Sequence, residues 1–185
     1  MSPRIAVLAS GEGTTLQCIM ETFNVVLVIS NKRYSGALRR ARQFDVPGIV
    51  VGETAQPDMD MLATLESSGA DLVVLAGYMQ KVGKLTLKAY QGRIINTHPS
   101  LLPKHGGKGM YGMHVHNAVV ENREKQTGIT IHYVNENYDE GAIIFQKSFD
   151  VLESDSSEDV AEKIHHLEYE YFPKVIEKVI LENGR

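Results

Sequence analysis

The hydrophobic residues in the first half of the chain fall into short, continuous runs separated by polar segments. The runs are rich in valine and isoleucine and cover residues 4–10, 24–30, 47–51, 71–77 and 93–98. Each run is short enough for a strand, and unbroken apolar character is typical of strands buried on both faces of a parallel sheet. The pattern therefore predicts a buried strand at each run.

The segments between these runs have the character of helices. They cover residues 16–22, 35–45, 57–69 and 83–92. Ser35 is placed to act as an N-cap, and Gly69 is placed to end its helix in a left-handed conformation. Because strands alternate with helices, the sequence predicts βαβ units and a parallel sheet.

After residue 98 this alternation stops. Residues 113–122 predict one more helix, and two further strands are predicted over residues 127–135 and 142–151. Only a short loop containing ENYDEG lies between these strands, which favours an antiparallel pair at the edge of the sheet. The predicted fold class is α/β: a Rossmann-like, mostly parallel sheet with helices on both faces and an antiparallel addition at the C-terminal end.

Residues 156–184 predict a long final helix. Ser156 or Ser157 is placed to cap it, and the acidic residues of its first turn suit the helix dipole. Pro173 lies within this segment. We expect it to kink or interrupt the helix, because proline removes a backbone donor and crowds the preceding turn.

Composition and charge narrow the classes of function. Of 185 residues, 43% are hydrophobic and 23% are charged, which is typical of a globular protein. The net charge of -4 gives no support to nucleic-acid binding. The apolar run Ile5–Ala9 is too short for a signal peptide or a membrane span, and the single cysteine, Cys18, excludes an intrachain disulfide. We therefore expect a cytoplasmic protein with no nucleic-acid or membrane partner.

Three polar clusters follow predicted strands, where α/β proteins bind ligands. The first is ASGEGTTLQ, in which Gly13 lets the backbone come close to a ligand and Thr14 and Thr15 open a helix. No lysine follows as in a P-loop, and Leu16 stands where a dinucleotide motif has its third glycine. The segment is either an ordinary glycine turn or a site for a small phosphate group.

The second cluster ends the fifth predicted strand. Asn96 and His98 are two residues apart, so their side chains point to the same face of that strand. An asparagine amide can donate a hydrogen bond to a developing oxyanion, and histidine exchanges its proton near neutral pH. A lone histidine here would be structural more often than functional, but the pair favours an active site.

The third cluster is NYDEG, which contains Asp139. An aspartate shortly before a glycine is usually a turn residue. The functional alternative is that Asp139 reaches His98, orients its ring and stabilises its charged form. His114 and His116 form an H-x-H pair, but residues two apart on a helix do not share a face, and no metal is expected.

Several stretches together resemble one family. They are SGEGTTLQ, ISNK, VVLAGYM, INTHPSLLPK, GITIHYV followed by DEG, and QKSFDV. The run Asn-x-His-Pro-Ser-Leu-Leu-Pro is shared by the folate-dependent formyltransferases. The glycine-rich loop separates the glycinamide ribonucleotide formyltransferases from their relatives, and the chain resembles this branch nearly from end to end.

The resemblance implies a reaction and its substrates. The formyl group of 10-formyltetrahydrofolate, the co-substrate, passes to the amine of glycinamide ribonucleotide in de novo purine (IMP) biosynthesis. Both substrates are small molecules, and no metal is needed. We expect a monomer or homodimer and a single formyltransferase domain over residues 1–185, with a phosphate-binding half (1–98) and a half that completes the folate site (99–185).

The resemblance also implies a role for each matching residue. The implied catalytic residues are Asn96, His98 and Asp139. The residues implied to bind the ribonucleotide are Gly13, Thr14, Thr15, His165 and Glu168. The residues implied to bind folate are Met79, Gln80, Lys81, Val82, Asn96, Asn135, Glu136, Asn137, Tyr138 and Asp139.

Other functions remain open. A formyltetrahydrofolate deformylase or another folate-dependent N-formyltransferase would share the Asn-x-His motif, and a non-catalytic ligand-binding domain would share the fold alone. The phosphate loop favours the ribonucleotide enzyme. The chain departs from the family in a short first helix, in Thr15 and Glu140, and in the longer segment HGGKGMYGMHVH. We expect residues 105–112 to form a flexible loop over the site.

Overall fold

The computed structural model describes residues 2–183. These residues are arranged around a single seven-stranded sheet. The strands are β1 (Ile5–Leu8), β2 (Val25–Ser30), β3 (Gly48–Val50), β4 (Leu72–Leu75), β5 (Ile94–His98), β6 (Gln126–Tyr133) and β7 (Ile143–Asp150). Their order across the sheet is β3-β2-β1-β4-β5-β6-β7. Strands β1 to β5 are parallel, whereas β6 and β7 pair antiparallel. The predicted α/β class with its antiparallel addition is confirmed.

Helices cover both faces of this sheet. They are α1 (Thr14–Thr22), α2 (Gly36–Gln43), α3 (Pro57–Ser68), α4 (Lys84–Ala89), α5 (Met113–Glu121) and α6 (Ser157–Asn183). One core cluster joins the sheet to α1, α2, α5 and α6, and a second joins it to α3 and α4. Ile5 and Val7 face the first cluster, and Ala6 and Leu8 face the second. A strand enclosed on both faces has no polar positions, which explains its unbroken apolar sequence.

The predicted helix caps are present. The Ser35 hydroxyl accepts a hydrogen bond from the backbone N–H of Leu38 at 3.2 Å, and Gly69 ends α3 with φ of 64°. Of the two candidate serines at the last helix, Ser156 is the cap. Its hydroxyl accepts from the N–H of Asp159 at 3.1 Å, and the Asp159 carboxylate accepts from the N–H of Ser156 at 2.8 Å. This is a reciprocal capping box with aspartate at the third position.

Helix α6 runs through Pro173 without interruption. A proline removes one backbone hydrogen bond, but the residues around it are held by packing. Phe172, Val175, Ile176 and Val179 are all buried in the first core cluster. Gly184, the last residue of the predicted helix, lies outside the described residues.

The strand order positions the ligand-binding edge. The connection from β1 runs to β2 on one side of it, whereas β4 and β5 lie on the other side. Such a reversal leaves a crevice beyond the carboxyl ends of the strands. The glycine-rich loop after β1, the loop after β4 and the end of β5 all meet there. Within residues 2–183, no helix is long and apolar enough to cross a membrane.

Candidate active site

The Asn96 and His98 side chains open into one cavity at the end of β5. Its volume is about 290 Å³. The lining residues include Tyr78, Met79, Asn96, His98, Lys108, Tyr138 and Asp139. His98 is 3% exposed and Asn96 is half-buried. The structure thus brings the three predicted catalytic residues together, although His98 and Asp139 are 41 positions apart in the sequence.

Both ring nitrogens of His98 face oxygen atoms. Nε2–H donates to the carbonyl oxygen of His105 at 2.8 Å, and Nδ1 lies 3.4 Å from Oδ1 of Asp139. A carbonyl and a carboxylate only accept hydrogen bonds, and only the protonated imidazole carries two donors. These two contacts hold the His98 ring in one orientation between a carbonyl and a carboxylate.

The Asp139 carboxylate is partly buried yet remains charged. Burial alone would raise its pKa, but the His98 ring and the backbone N–H of Gly107 hold the pKa of Asp139 well below its usual range. Gly107 N–H donates to Oδ2 at 2.8 Å. Asp139 itself has φ of 59°, a left-handed conformation that aspartate adopts more readily than most residues. The carboxylate is thus held as a fixed negative charge beside His98.

His132 belongs to this cluster, and the sequence reasoning missed its role. In the antiparallel pairing of β5 and β6 it lies directly opposite Asn96. Its Nδ1–H donates to the carbonyl oxygen of Tyr133 at 2.8 Å, so Nε2 can accept from the Asn96 amide at 3.1 Å. Nε2 lies 3.7 Å from Asp139, which is too long for a hydrogen bond. His132 thus orients the Asn96 amide, whose second N–H is not used by this contact.

A second polar cluster links α1, β5 and α6 through Glu168. This carboxylate is 7% exposed. It accepts hydrogen bonds from the hydroxyls of Thr15 at 2.8 Å and Thr97 at 3.2 Å, and His165 Nδ1 lies 3.3 Å away. The hydrogen bond to Glu168 raises the pKa of His165. Thr14 starts α1 and Gly13 precedes it with φ of 76°, so the free N–H groups of the helix open beside this cluster.

The two segments predicted to bind folate lie against each other. Lys81 Nζ is 5.7 Å from the centre of the Tyr138 ring, and Lys84 Nζ is 3.4 Å from a Glu136 carboxylate oxygen. Met79, Tyr138 and Asp139 line the cavity. The remaining residues of these two segments do not line the cavity. Val82 is buried, whereas the exposed ones are Gln80, Lys81, Asn135, Glu136 and Asn137.

The family described as formyl transferase matches residues 3–176 of this sequence. The chain belongs to the formyl transferase family. The chain is 36% identical to the chloroplastic phosphoribosylglycinamide formyltransferase of Arabidopsis thaliana over 94% of its own length and 64% of that protein. It is 35% identical to the trifunctional purine biosynthetic protein adenosine-3 of Drosophila melanogaster, of which it spans 14%. It thus spans less than two thirds of these relatives.

A solved structure extends the similarity to nearly the whole of a relative. The phosphoribosylglycinamide formyltransferase of Streptococcus pneumoniae TIGR4 superposes with a TM-score of 0.89 at 35% identity. The match covers 97% of the present chain and 99% of the Streptococcus pneumoniae chain. The sheet order and both polar clusters therefore lie within the region that the two proteins share.

The two histidines of the H-x-H pair do not form a joint site. His114 is exposed, whereas His116 is 4% exposed, and its Nδ1 has no hydrogen-bond partner among residues 2–183. Burial lowers the pKa of His116 to about 4, so its ring is neutral. Across the same residues, no group of three histidine, cysteine, aspartate or glutamate side chains is arranged to hold a metal ion.

Proposed function

We propose that this chain transfers the formyl group of 10-formyltetrahydrofolate to the amine of glycinamide ribonucleotide. The products are N-formylglycinamide ribonucleotide and tetrahydrofolate, and the step belongs to de novo purine biosynthesis. One observation carries the proposal. Asn96, His98 and Asp139 line one cavity, next to a helix N-terminus and a buried glutamate that suit a ribonucleotide.

The reaction makes one bond and breaks one. The amine nitrogen attacks the formyl carbon, a tetrahedral oxyanion forms, and its collapse breaks the bond to the folate nitrogen. One proton passes from the attacking nitrogen to the leaving nitrogen. The enzyme must therefore stabilise a transient negative charge on the formyl oxygen and provide a route for one proton.

The catalytic groups divide these tasks. The free N–H of Asn96 donates to the oxyanion, and the charge of protonated His98 stabilises it. A single preorganised donor of this kind contributes about 3–4 kcal/mol. Asp139 holds His98 and helps to move the proton between the two nitrogens. The distance of 3.4 Å between His98 and Asp139 supports this pairing.

The Glu168 cluster suits the ribonucleotide. The N-terminus of α1 offers free N–H groups, which favour a phosphate, and Gly13, Thr14 and Thr15 lie at this end. Glu168 and His165 offer acceptor and donor atoms to hydroxyl and amine groups. Folate occupies the other end of the cavity, between the loop after β4 and residues 135–139. Tyr78 and Met79 supply apolar surface there, and burial raises the pKa of Tyr78 to about 12, so its hydroxyl stays neutral.

Substitution of Gly13 by alanine is expected to weaken ribonucleotide binding. At φ of 76°, a Cβ at this position would lie 2.8 Å from the Cα of Ala37. The left-handed conformation alone costs a non-glycine residue about 1–2 kcal/mol, so the loop must shift. We expect the KM for the ribonucleotide to rise about 10-fold, equivalent to about 1.4 kcal/mol of binding, with an unchanged KM for folate.

Gly11→Ala is the matched control for stability in this loop. A Cβ there meets no atom within 4 Å, and the backbone at Gly11 is not left-handed. Thermal unfolding should show a clear loss for Gly13→Ala and little change for Gly11→Ala. An equal rise of both KM values in Gly13→Ala would argue against a phosphate site at this loop.

The proposed function is tested by release of tetrahydrofolate with and without glycinamide ribonucleotide. We expect release only with the ribonucleotide present, in one-to-one proportion to the formylated product. Release without an amine acceptor would instead identify a deformylase, which passes the formyl group to water. No release under either condition, from protein that binds a folate analogue, would identify a binding domain.

A further inference from the structure

Backbone atoms of one loop segment contact both members of the His98–Asp139 pair. The segment is residues 104–107, which follows β5 and is called the bridging segment below. The carbonyl oxygen of His105 accepts from His98 Nε2–H, and the N–H of Gly107 donates to Asp139 Oδ2, each at 2.8 Å. The orientation of the pair therefore depends on where this segment runs.

The side chain of Glu124 holds the bridging segment from outside the cavity. Its Oε1 is 3.1 Å from His105 Nε2, and its Oε2 accepts from Lys104 Nζ at 2.9 Å. His105 has φ of 52°. A residue with a side chain keeps this left-handed conformation only where surrounding contacts hold it. The Glu124–His105 contact supplies such a restraint.

Glu124 is itself fixed by the end of α5. The N–H of Arg123 donates to the carbonyl oxygen of Val120 at 3.0 Å, and the N–H of Glu124 donates to that of Val119 at 3.1 Å. With Arg123 at φ of 49°, these two bonds form a Schellman motif. Val119 is fully buried in the core. The carboxylate of Glu124 thus projects from a rigid part of the fold and is only 20% exposed.

We propose that Glu124 is a positioning residue for the catalytic histidine and acts through His105. Glu124 fixes the His105 ring, the His105 carbonyl oxygen fixes His98 Nε2, and this leaves Nδ1 of His98 facing Asp139. Among residues 2–183, those that line the cavity include His98 and Asp139 but not Glu124. The role of Glu124 is therefore indirect. Its catalytic consequence rests on the proposed function, in which His98 does the chemistry.

Loss of this restraint should lower turnover rather than substrate binding. Without Glu124 the His105 carbonyl can move, and the His98 ring then samples orientations in which only one nitrogen has its partner. A small misplacement of a catalytic group is costly, so we expect Glu124→Ala to lower kcat about 10-fold. Because Glu124 does not line the cavity, the KM for each substrate should change less than two-fold.

Two variants test whether the effect depends on the contact with His105. Glu124→Gln keeps an oxygen that accepts from His105 Nε2–H and should restore most of the kcat lost in Glu124→Ala. Lys104→Ala removes the other partner of Glu124 but leaves the His105 contact, and its kcat should stay near the wild-type value. Glu153→Ala is the matched charge control, since this residue is 93% exposed and contacts Lys125.

A double-mutant cycle and NMR separate positioning from general stability. If Glu124 acts through His105, the double variant Glu124→Ala/His105→Ala should be no slower than His105→Ala alone. The imidazole ¹⁵N signals of His98, assigned by their loss in His98→Ala, should shift in Glu124→Ala and return toward wild type in Glu124→Gln. This NMR measurement needs no substrate, so it tests the chain of contacts even if the formyl-transfer assay fails.

Other results would overturn the proposal. Unchanged His98 signals in a folded Glu124→Ala protein would show that the ring does not depend on Glu124. Additive losses in the double variant would show that the two residues act separately. A loss of kcat in Glu153→Ala equal to that in Glu124→Ala would attribute the effect to surface charge.

Discussion

Replacement of His98 by alanine is expected to lower kcat for formyl transfer by about 10³-fold. The change removes the positive charge beside the oxyanion and leaves Asp139, which helps to move the proton, without the ring that it holds. Electrostatic stabilisation and acid–base catalysis each contribute about 10²-fold or more in comparable sites. Because the ring sits at the reacting end of the cavity, the KM for ribonucleotide should change far less than kcat.

His166→Ala is the matched control for the loss of an imidazole. Its side chain is 76% exposed and lies near Glu162 on the surface of α6, away from the His98 pair. Circular dichroism and thermal unfolding should show that both variants fold. A kcat for folded His98→Ala within five-fold of the wild type would refute the assignment of His98 as the catalytic histidine.

Asp139→Asn is expected to lower kcat by about 10²-fold while leaving the shape of the loop intact. Asparagine is nearly isosteric and also tolerates the left-handed backbone at this position. It can still accept from Gly107 N–H, but it carries no charge to stabilise protonated His98. Steady-state kinetics with both substrates is the measurement, and Glu140→Gln, a neighbouring exposed carboxylate, is the control. Equal losses of kcat in Asp139→Asn and Glu140→Gln would attribute the effect to the overall negative charge of the loop.

The same variant predicts a difference in acid stability. The folded-state pKa of Asp139 lies below the value of 3.8 for an unperturbed aspartate. A depressed pKa contributes stability above the unfolded pKa, and that contribution is lost as pH falls through the folded pKa. The free energy of unfolding should therefore fall more steeply below about pH 4 in the wild type than in Asp139→Asn. Parallel acid-unfolding curves would contradict the charged, paired state of Asp139.

Local physics explains which parts of the fold the sequence could predict. Strands enclosed on both faces leave unbroken apolar runs, and caps such as Ser35 and Gly69 have a fixed local chemistry. The pairing of Asn96 and His98 on one face follows from the two-residue period of a strand. The tendency of Pro173 to break a helix is also a local property, but the packing of α6 against the core outweighs it.

The parts of the site that the sequence could not predict depend on register and on backbone atoms. His132 orients Asn96 because β5 and β6 pair with these residues opposite each other, and the sequence alone does not fix that register. The contacts of His105 with His98 and of Gly107 with Asp139 come from backbone atoms, which every residue carries. No residue type indicates such backbone contacts, so the sequence predicted only a flexible loop for the bridging segment.

Glu168 also has a consequence for how the protein is made. This one carboxylate on α6 bonds to Thr15 near the start of α1 and to Thr97 on β5. On a translating ribosome, β1 to β5 and their helices emerge well before α6 does. The early strands can collapse around their core, but the Glu168 cluster stays incomplete until residue 168 has left the exit tunnel. In the proposed function, in which this cluster binds the ribonucleotide, substrate capture therefore requires the completed fold.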